Sequence, residues 1–201
     1  PIVIVNGPGG CPFVTDPKNP HLGGNFDGGD EGTKYKTDLW PWLVNQFNPK
    51  TVLDLGCGPG ESAAWFKTYC NVIGLDGMVF NAKACDSRNQ VPCIVWDFQD
   101  GPLRIEGIDL IWCSDVAEHI DEEFLPNFLE TLRYGKIVAM CQGHEQSGPY
   151  GWHHVTNKPE QWWVDKLFAV GLVEDITLTA KSREIGNHGW WAQTGRIYRK
   201  I

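Results

Sequence analysis

The chain has no pair of cysteines at CxxC spacing, no basic run and no apolar stretch near the roughly 18 residues that a membrane-spanning helix needs. Each absence narrows the reading. Seven cysteines lie scattered at 11, 57, 70, 85, 93, 113 and 141. The number is odd, and several fall in apolar runs that read as strands, so a disulfide framework or a zinc site is not expected and reduced thiols are. The charge balance is 17 basic against 25 acidic residues, net −8. A nucleic-acid partner normally calls for the opposite sign. No charged leader precedes an apolar signal core, and the expectation is a cytoplasmic protein without membrane contact. With 201 residues, 42% hydrophobic and 21% charged, the chain is long enough for one sizeable core and too apolar for disorder.

Residues 1–35 are rich in Gly, Pro, Asn and Asp, which is loop chemistry. Beyond a short "IVIV" this segment reads as an irregular arm. From 36 to 201 a single domain is expected. A helix at 36–47, which Asp38 could cap, leads into an alternation of strands and helices. Strands are expected at 51–56, 71–76, 91–97, 108–113 and 135–141. Helices are expected at 61–69, near 79–86, and at 121–133 and 158–171. The first five strands are short and apolar, as when helices cover both faces. Strands alternating with helices give a doubly wound α/β fold with a mostly parallel sheet. Two last strands, 172–180 and 190–201, show no convincing helix between them and read as an antiparallel pair at one edge, making seven strands.

The segment "TVLDLGCGPGESAAWF" (51–66) joins the first of these strands to a helix through Gly56, Gly58 and Gly60. Glycines there allow a tight turn and a close approach by a ligand, and the helix N-terminus favours a negative group. In open α/β sheets ligands bind outside the carboxyl ends of the strands. Asp76 ends the next strand, 20 residues after Gly56. Its carboxylate, an acceptor only, suits the two hydroxyls of a ribose. The pattern is GxGxG, preceded by Asp54, and not the GxGxxG of dinucleotide folds.

"VLDLGCGPG" resembles motif I of the class I S-adenosylmethionine-dependent methyltransferases. "VIGLDG" (72–77), "VWDF" (95–98) and "IDLIWCSDVAEHI" (108–120) resemble the later motifs of that family in the right order. The resemblance runs from about 50 to 141. It implies a seven-stranded sheet whose seventh strand is antiparallel beside the fifth, with S-adenosylmethionine as cofactor and S-adenosylhomocysteine as product. It further implies that Gly56, Cys57 and Gly58 pass close to the amino-acid part of the cofactor. Asp54 would order that loop and the ammonium, and Asp76 would take the ribose hydroxyls. Gly77 and Met78 would lie against ribose and adenine. Asp97 would accept from the adenine amino group with Phe98 nearby, and Cys113 and Ser114 would lie under the methionine portion.

A methyl donor of this kind needs an acceptor held in line and, for a weakly acidic nucleophile, a base. The loop 141–157, "CQGHEQSGPYGWHHVTN", follows the fifth strand and carries His144, Glu145, His153 and His154. His153 or His154, then His144, are the candidate bases, because imidazole is tuned most easily near neutrality. Hydrogen bonding within the loop is the plainer reading of each. A cation held by these four side chains is a third reading, set aside because adjacent histidines diverge, and no metal site is expected. His119, after Glu118, reads as a packing residue. Trp152, Trp190 and Trp191 could line an acceptor pocket. Residues 23–40 could close as a lid, with Lys34, Tyr35 and Lys36 donating to the cofactor's carboxylate, or remain a solvated arm.

The expected function is methyl transfer to a small-molecule or sugar-like acceptor. The alternatives are a catalytically inactive S-adenosylmethionine-binding regulatory protein and a nicotinamide-dependent oxidoreductase. The last would need GxGxxG and a hydride-transfer pair such as Tyr–Lys, which the sequence does not show.

Overall fold

The structure, a computed structural model, describes residues 3–6, 12–25, 35–145 and 151–201. Its main sheet starts with β4 (Thr51–Leu55), β5 (Asn71–Asp76) and β6 (Cys93–Val95), continues with β7 (Ile108–Ser114) and β8 (Gly135–Cys141), and ends with β9 (Leu172–Glu174) and β10 (Arg196–Lys200). The order across the sheet is β6-β5-β4-β7-β8-β10-β9. The first five pair in parallel, and β10 runs antiparallel to both β8 and β9. This is the expected doubly wound sheet with an antiparallel edge. The chain winds outward in opposite directions from β4 and β7, so a crevice opens at their carboxyl ends.

Side-chain alternation explains the two cores. Along β4, Val52 faces one side and Leu53 and Leu55 the other. Along β7, Leu110 and Trp112 face one side, Ile111 and Cys113 the other. The first face packs on Leu39, Trp40 and Leu43 of α1 (Leu39–Phe47), Phe66 of α2 (Glu61–Phe66) and Cys85 of α3 (Val79–Asn89). The second packs on Phe128, Leu129 and Leu132 of α4 (Leu125–Leu132) and Trp163 and Leu167 of α5 (Glu160–Ala169). Of the Trp162–Trp163 pair only Trp163 is fully buried. Truncating any of these fully buried leucines would cost about 2–5 kcal/mol.

Three expectations are corrected. The segment 172–180 is not one strand: β9 stops at Glu174 and α6 (Ile176–Ile185) follows. Asp175 caps that helix by accepting the Leu178 N–H at 3.0 Å, a local bond that outweighs the strand preference of the Ile and Thr residues. Likewise 190–201 begins with α7 (Gly189–Thr194) before β10. Two helices therefore lie between the edge strands. Third, the N-terminal arm is more regular than its composition suggests. Within it, β1 (Val3–Asn6), β2 (Pro12–Asp16) and β3 (Asn19–Asn25) form an antiparallel three-stranded meander. Asp16 and Lys18 make the β2–β3 turn, where Asp16 accepts the Lys18 N–H.

Candidate functional site

A cavity of about 670 Å³ opens at the carboxyl ends of β4, β5 and β7, within the range of about 300–1,000 Å³ typical of small-molecule sites. Its floor is the glycine loop after β4. The N–H groups of Gly56 and Cys57 both donate to the Leu75 carbonyl, at 2.7 and 3.0 Å, which folds the loop back over β5. Gly56 has φ +75°, and a Cβ there would lie 2.1 Å from a methyl of Val116, so only glycine fits. Gly58 has φ +52°, yet a Cβ there would meet nothing within 4 Å. The space above Gly58 is open cavity, which leaves room for a ligand to lie on bare backbone.

Two buried carboxylates face this loop. Asp76 accepts the Gly58 N–H at 2.9 Å and the Met78 N–H at 2.8 Å, with Asn81 at 3.3 Å. Burial pushes its carboxyl up to about 6, although those donors hold it back. Asp54 is deeper. It accepts the Ser62 hydroxyl at 2.6 Å, and burial pushes its carboxyl up to about 7. Among the described residues the lining contains several carboxylates and no lysine or arginine. A cationic ligand is what such a wall favours, since a positive charge would relieve the cost of ionising Asp54 and Asp76.

The opposite end of the cavity is lined by Glu118, His119, His154, Trp152, Asp121 and Phe124. The 3₁₀ turn Ala117–His119 just after β7 places Glu118 and His119. Glu118 accepts the Gly143 N–H at 2.8 Å, and its carbonyl accepts from Val155 and Thr156, which fixes the returning loop. His119 faces the Trp152 carbonyl through Nδ1. A carbonyl only accepts, so Nδ1 carries the proton and the neutral ring keeps its lone pair on Nε2. Burial, then His154 beside it, pulls the His119 imidazole down to about 4. Burial also lowers His154. The two rings meet edge to face with centroids 4.7 Å apart, and His154 Nδ1 is buried with no hydrogen-bond partner among the described residues. One ligand atom each from Glu118, His119 and His154 falls within 4.8 Å of the others, a spacing that a cation could bridge.

The N-terminal meander lies along the cavity. His21 on β3 meets Asp97 at 2.7 Å, and Leu22 fills the space that a Cβ on Gly77 would need. The indole N–H of Trp152 donates to the Pro20 carbonyl at 3.0 Å, and its ring lies against Gly23, where a Cβ would come within 2.5 Å. The meander thus touches both ends of the cavity.

The sequence-derived candidates divide as follows. Asp54, Gly56, Cys57, Gly58, Asp76, Gly77, Met78, Asp97, Phe98 and Ser114 all line the cavity. Cys113 does not; it points into the core with Leu53 and Ile111. The Phe98 ring packs edge-on to Phe128, and its carbonyl accepts from Asn127. Asp97 is already engaged by His21 and by the Gln99 N–H. Of the three histidines, only His154 reaches the cavity. His153 turns away, in the left-handed region at φ 51°, to pair with Asp121 at 3.1 Å. His144 lies outside the lining, and Glu145 is exposed. These two do not gather with His153 and His154 at ligand distance among the described residues. Their place is taken by Glu118 and by His119, which reads from the sequence as a packing residue. The signal available for them was their position directly after β7, at the carboxyl edge of the sheet. Trp152 and Trp190 line the cavity, whereas Trp191 is core and donates to Ser182. Tyr35 lines it too and stacks on His188 at 5.1 Å. Lys36 stands apart, 4.0 Å from Glu61, and Lys34 lies outside the described residues.

Comparison with known proteins agrees with this fold. Residues 53–140 match a methyltransferase domain family. Trans-aconitate 2-methyltransferase of Azoarcus sp. (strain BH72) is 26% identical over 160 residues, covering 75% of this chain. The chain spans 60% of the length of that relative. Among solved structures, a TehB-like SAM-dependent methyltransferase from Corynebacterium glutamicum superposes with a TM-score of 0.59 at 15% identity, over 79% of this chain and 85% of that one. A magnesium protoporphyrin IX methyltransferase from Synechocystis PCC 6803, solved with bound SAM, gives 0.58 at 17% identity, over 84% and 77%. At these identities the structures establish the shared fold.

Proposed function

We propose that this chain is a class I S-adenosylmethionine-dependent methyltransferase, a reading supported by the methyltransferase domain matched over residues 53–140, and that it transfers a methyl group to a small, uncharged acceptor held at the His119–His154 end of the cavity. The observation that carries the reading is the polarity of the cavity. One end is bare backbone over Gly58 with Asp54 and Asp76 beneath; the other is a pair of neutral imidazoles with a tryptophan.

When bound, S-adenosylmethionine supplies an electrophilic methyl on a sulfonium. The chain's own residues then do four things. Gly56 to Gly58 give the amino-acid portion a close seat, Asp54 supports its ammonium, and Asp76 has lone pairs left for the ribose hydroxyls. Gly77 and Met78 would flank the nucleoside, and Asp97, with His21 on it, would accept from the adenine amino group. Trp152 and Phe124 exclude water from the acceptor. His154 or His119 would take the acceptor's proton, leaving the acceptor nucleophilic toward the methyl that the cofactor would supply. The N-terminal meander serves as the lid of this chamber, in place of the loose arm that composition suggested.

The absence of lysine and arginine from the described lining favours a neutral acceptor with a hydroxyl or ring nitrogen over a polycarboxylate of the trans-aconitate type. The test is turnover to S-adenosylhomocysteine over a panel of phenols, sugars, N-heterocycles and tricarboxylates. Turnover confined to the tricarboxylates would overturn the acceptor class. Binding of S-adenosylmethionine without turnover on any member, unchanged by His154→Ala, would instead favour the inactive binding protein.

A second reading attaches to the Glu118–His119–His154 grouping, where a divalent cation would hold the acceptor oxygen in place of a base. Loss of turnover on chelation, restored by Mg²⁺, Mn²⁺ or Zn²⁺, would select it.

A further inference from the structure

At the glycine loop three cysteines converge from three elements. Cys57 stands between Gly56 and Gly58, Cys85 lies on α3, and Cys93 begins β6. Cys57 Sγ and Cys93 Sγ are 3.4 Å apart, and all three sulfurs fall within 4.8 Å of one another. The centre of the group is left open by Gly74 of β5. A Cβ built there would lie 3.0, 3.1 and 3.2 Å from the sulfurs of Cys57, Cys93 and Cys85. The three thiols therefore aim at one point, and no side chain fills it. Three sulfurs bound to one ion at about 2.3 Å sit about 4 Å from each other; the Cys57–Cys93 pair at 3.4 Å would open slightly to reach that spacing, and Cys85 lies within 4.8 Å of both.

We propose that Cys57, Cys85 and Cys93 form a binding site for one thiophilic d¹⁰ cation, of the Zn²⁺ or Cu⁺ class. Thiolate sulfur selects these soft ions over Mg²⁺ or Ca²⁺. On binding, each thiol gives its proton to water as its metal–sulfur bond forms, and no electron changes hands. The bound ion would tie the glycine loop to β6 and α3, fixing the floor of the cavity. Nothing in this depends on methyl transfer. The site is invisible in the spacing 57–85–93, because the sulfurs are gathered by the sheet and not by a local motif.

The test uses the full chain, reduced and metal-free under anaerobic conditions, titrated with Cd²⁺ as the spectroscopic probe for a divalent ion. In a parallel arm, Cu⁺ is supplied in competition with a bathocuproine chelator. The expected result is a thiolate-to-cadmium charge-transfer band saturating at one ion per chain, with proton release and a rise in the thermal midpoint. Cys85→Ser or Cys93→Ser should weaken binding by at least about tenfold, while Cys70→Ser, outside the group, should leave it intact. Should the fully buried Cys85→Ser chain fail to fold, Cys93→Ser at the partly exposed strand start decides. Tight Cu⁺ uptake with weak Cd²⁺ assigns the monovalent ion, and the reverse the divalent one. No charge-transfer band and no Cu⁺ uptake, or binding equal to wild type in Cys93→Ser, overturns the proposal and leaves the methyltransferase reading standing.

Discussion

The two ends of the cavity are built by different means. The Gly56–Met78 end is made of backbone. N–H groups of Gly58 and Met78 hold Asp76, and the Leu75 carbonyl holds the loop. The His119–His154 end is made of side chains carried by the turn after β7, the loop 151–157 and the N-terminal meander. A ligand that never changes can be held by backbone, whose geometry is the same for any sequence that accepts the glycines. An acceptor that differs among relatives of one fold is held by side chains on loops, which can be exchanged without disturbing the sheet.

That contrast can be broken first at the acceptor end. His154→Ala should lower turnover by about 10²–10⁴-fold, with S-adenosylmethionine affinity by calorimetry unchanged. A parallel loss of affinity would mean that the two ends are not separate. The next effect belongs to the cofactor end. Asp76→Ala strands two N–H groups and removes the proposed ribose acceptor, and should weaken cofactor binding about a hundredfold, or roughly 2–3 kcal/mol.

The glycines sharpen the contrast within one loop. Gly56→Ala drives a methyl into Val116 in a left-handed backbone, so chemical denaturation should show the larger loss of stability, about 2–4 kcal/mol. Gly58→Ala meets no protein atom within 4 Å and should cost about 1–2 kcal/mol for its backbone alone, while its methyl would occupy the proposed ligand seat. Stability and cofactor affinity should therefore rank the two variants in opposite orders.

A smaller effect concerns proton linkage. Asp54 and Asp76 hold their protons more tightly when folded, at about 7 and about 6, than the usual 3.8. Their stabilising contribution is complete below 3.8 and is lost as pH rises through about 6 and about 7. His119, lowered to about 4, works the other way over the same window. The advantage of Asp54→Asn over the native ligand-free chain in unfolding experiments should therefore grow from about pH 4 to 7 and then level off. The smallest effect is expected from His21→Ala. Its pair with Asp97 is partly exposed, so cofactor affinity should fall by less than about fivefold.

The same division governs what could be read from the residue order. Gly56, Gly58, Asp76 and Asp97 stand in strand-end motifs, where chain neighbours are also spatial neighbours, and each lines the cavity. His119 was read as packing because its partner, His154, is 35 residues away and is brought in only when Glu118 binds the backbone at 143, 155 and 156. His153 looked as suitable as His154; a left-handed backbone and Asp121 turn it aside. The meander was hidden by its prolines and glycines, of which Gly23 is there to let Trp152 approach. The helix at 176–185 was hidden by β-branched residues, and one cap at Asp175 decides against them.

The central claim is that the bare backbone at Gly58, over Asp76, is the seat of the sulfonium cofactor. It is tested most directly by calorimetric titration of S-adenosylmethionine into the native chain and into Gly58→Ala, with the fold of each checked by thermal melting. One molecule bound per native chain, and none by a folded Gly58→Ala, is the predicted result. Absence of heat with the native chain, or equal affinity in the two, would contradict it.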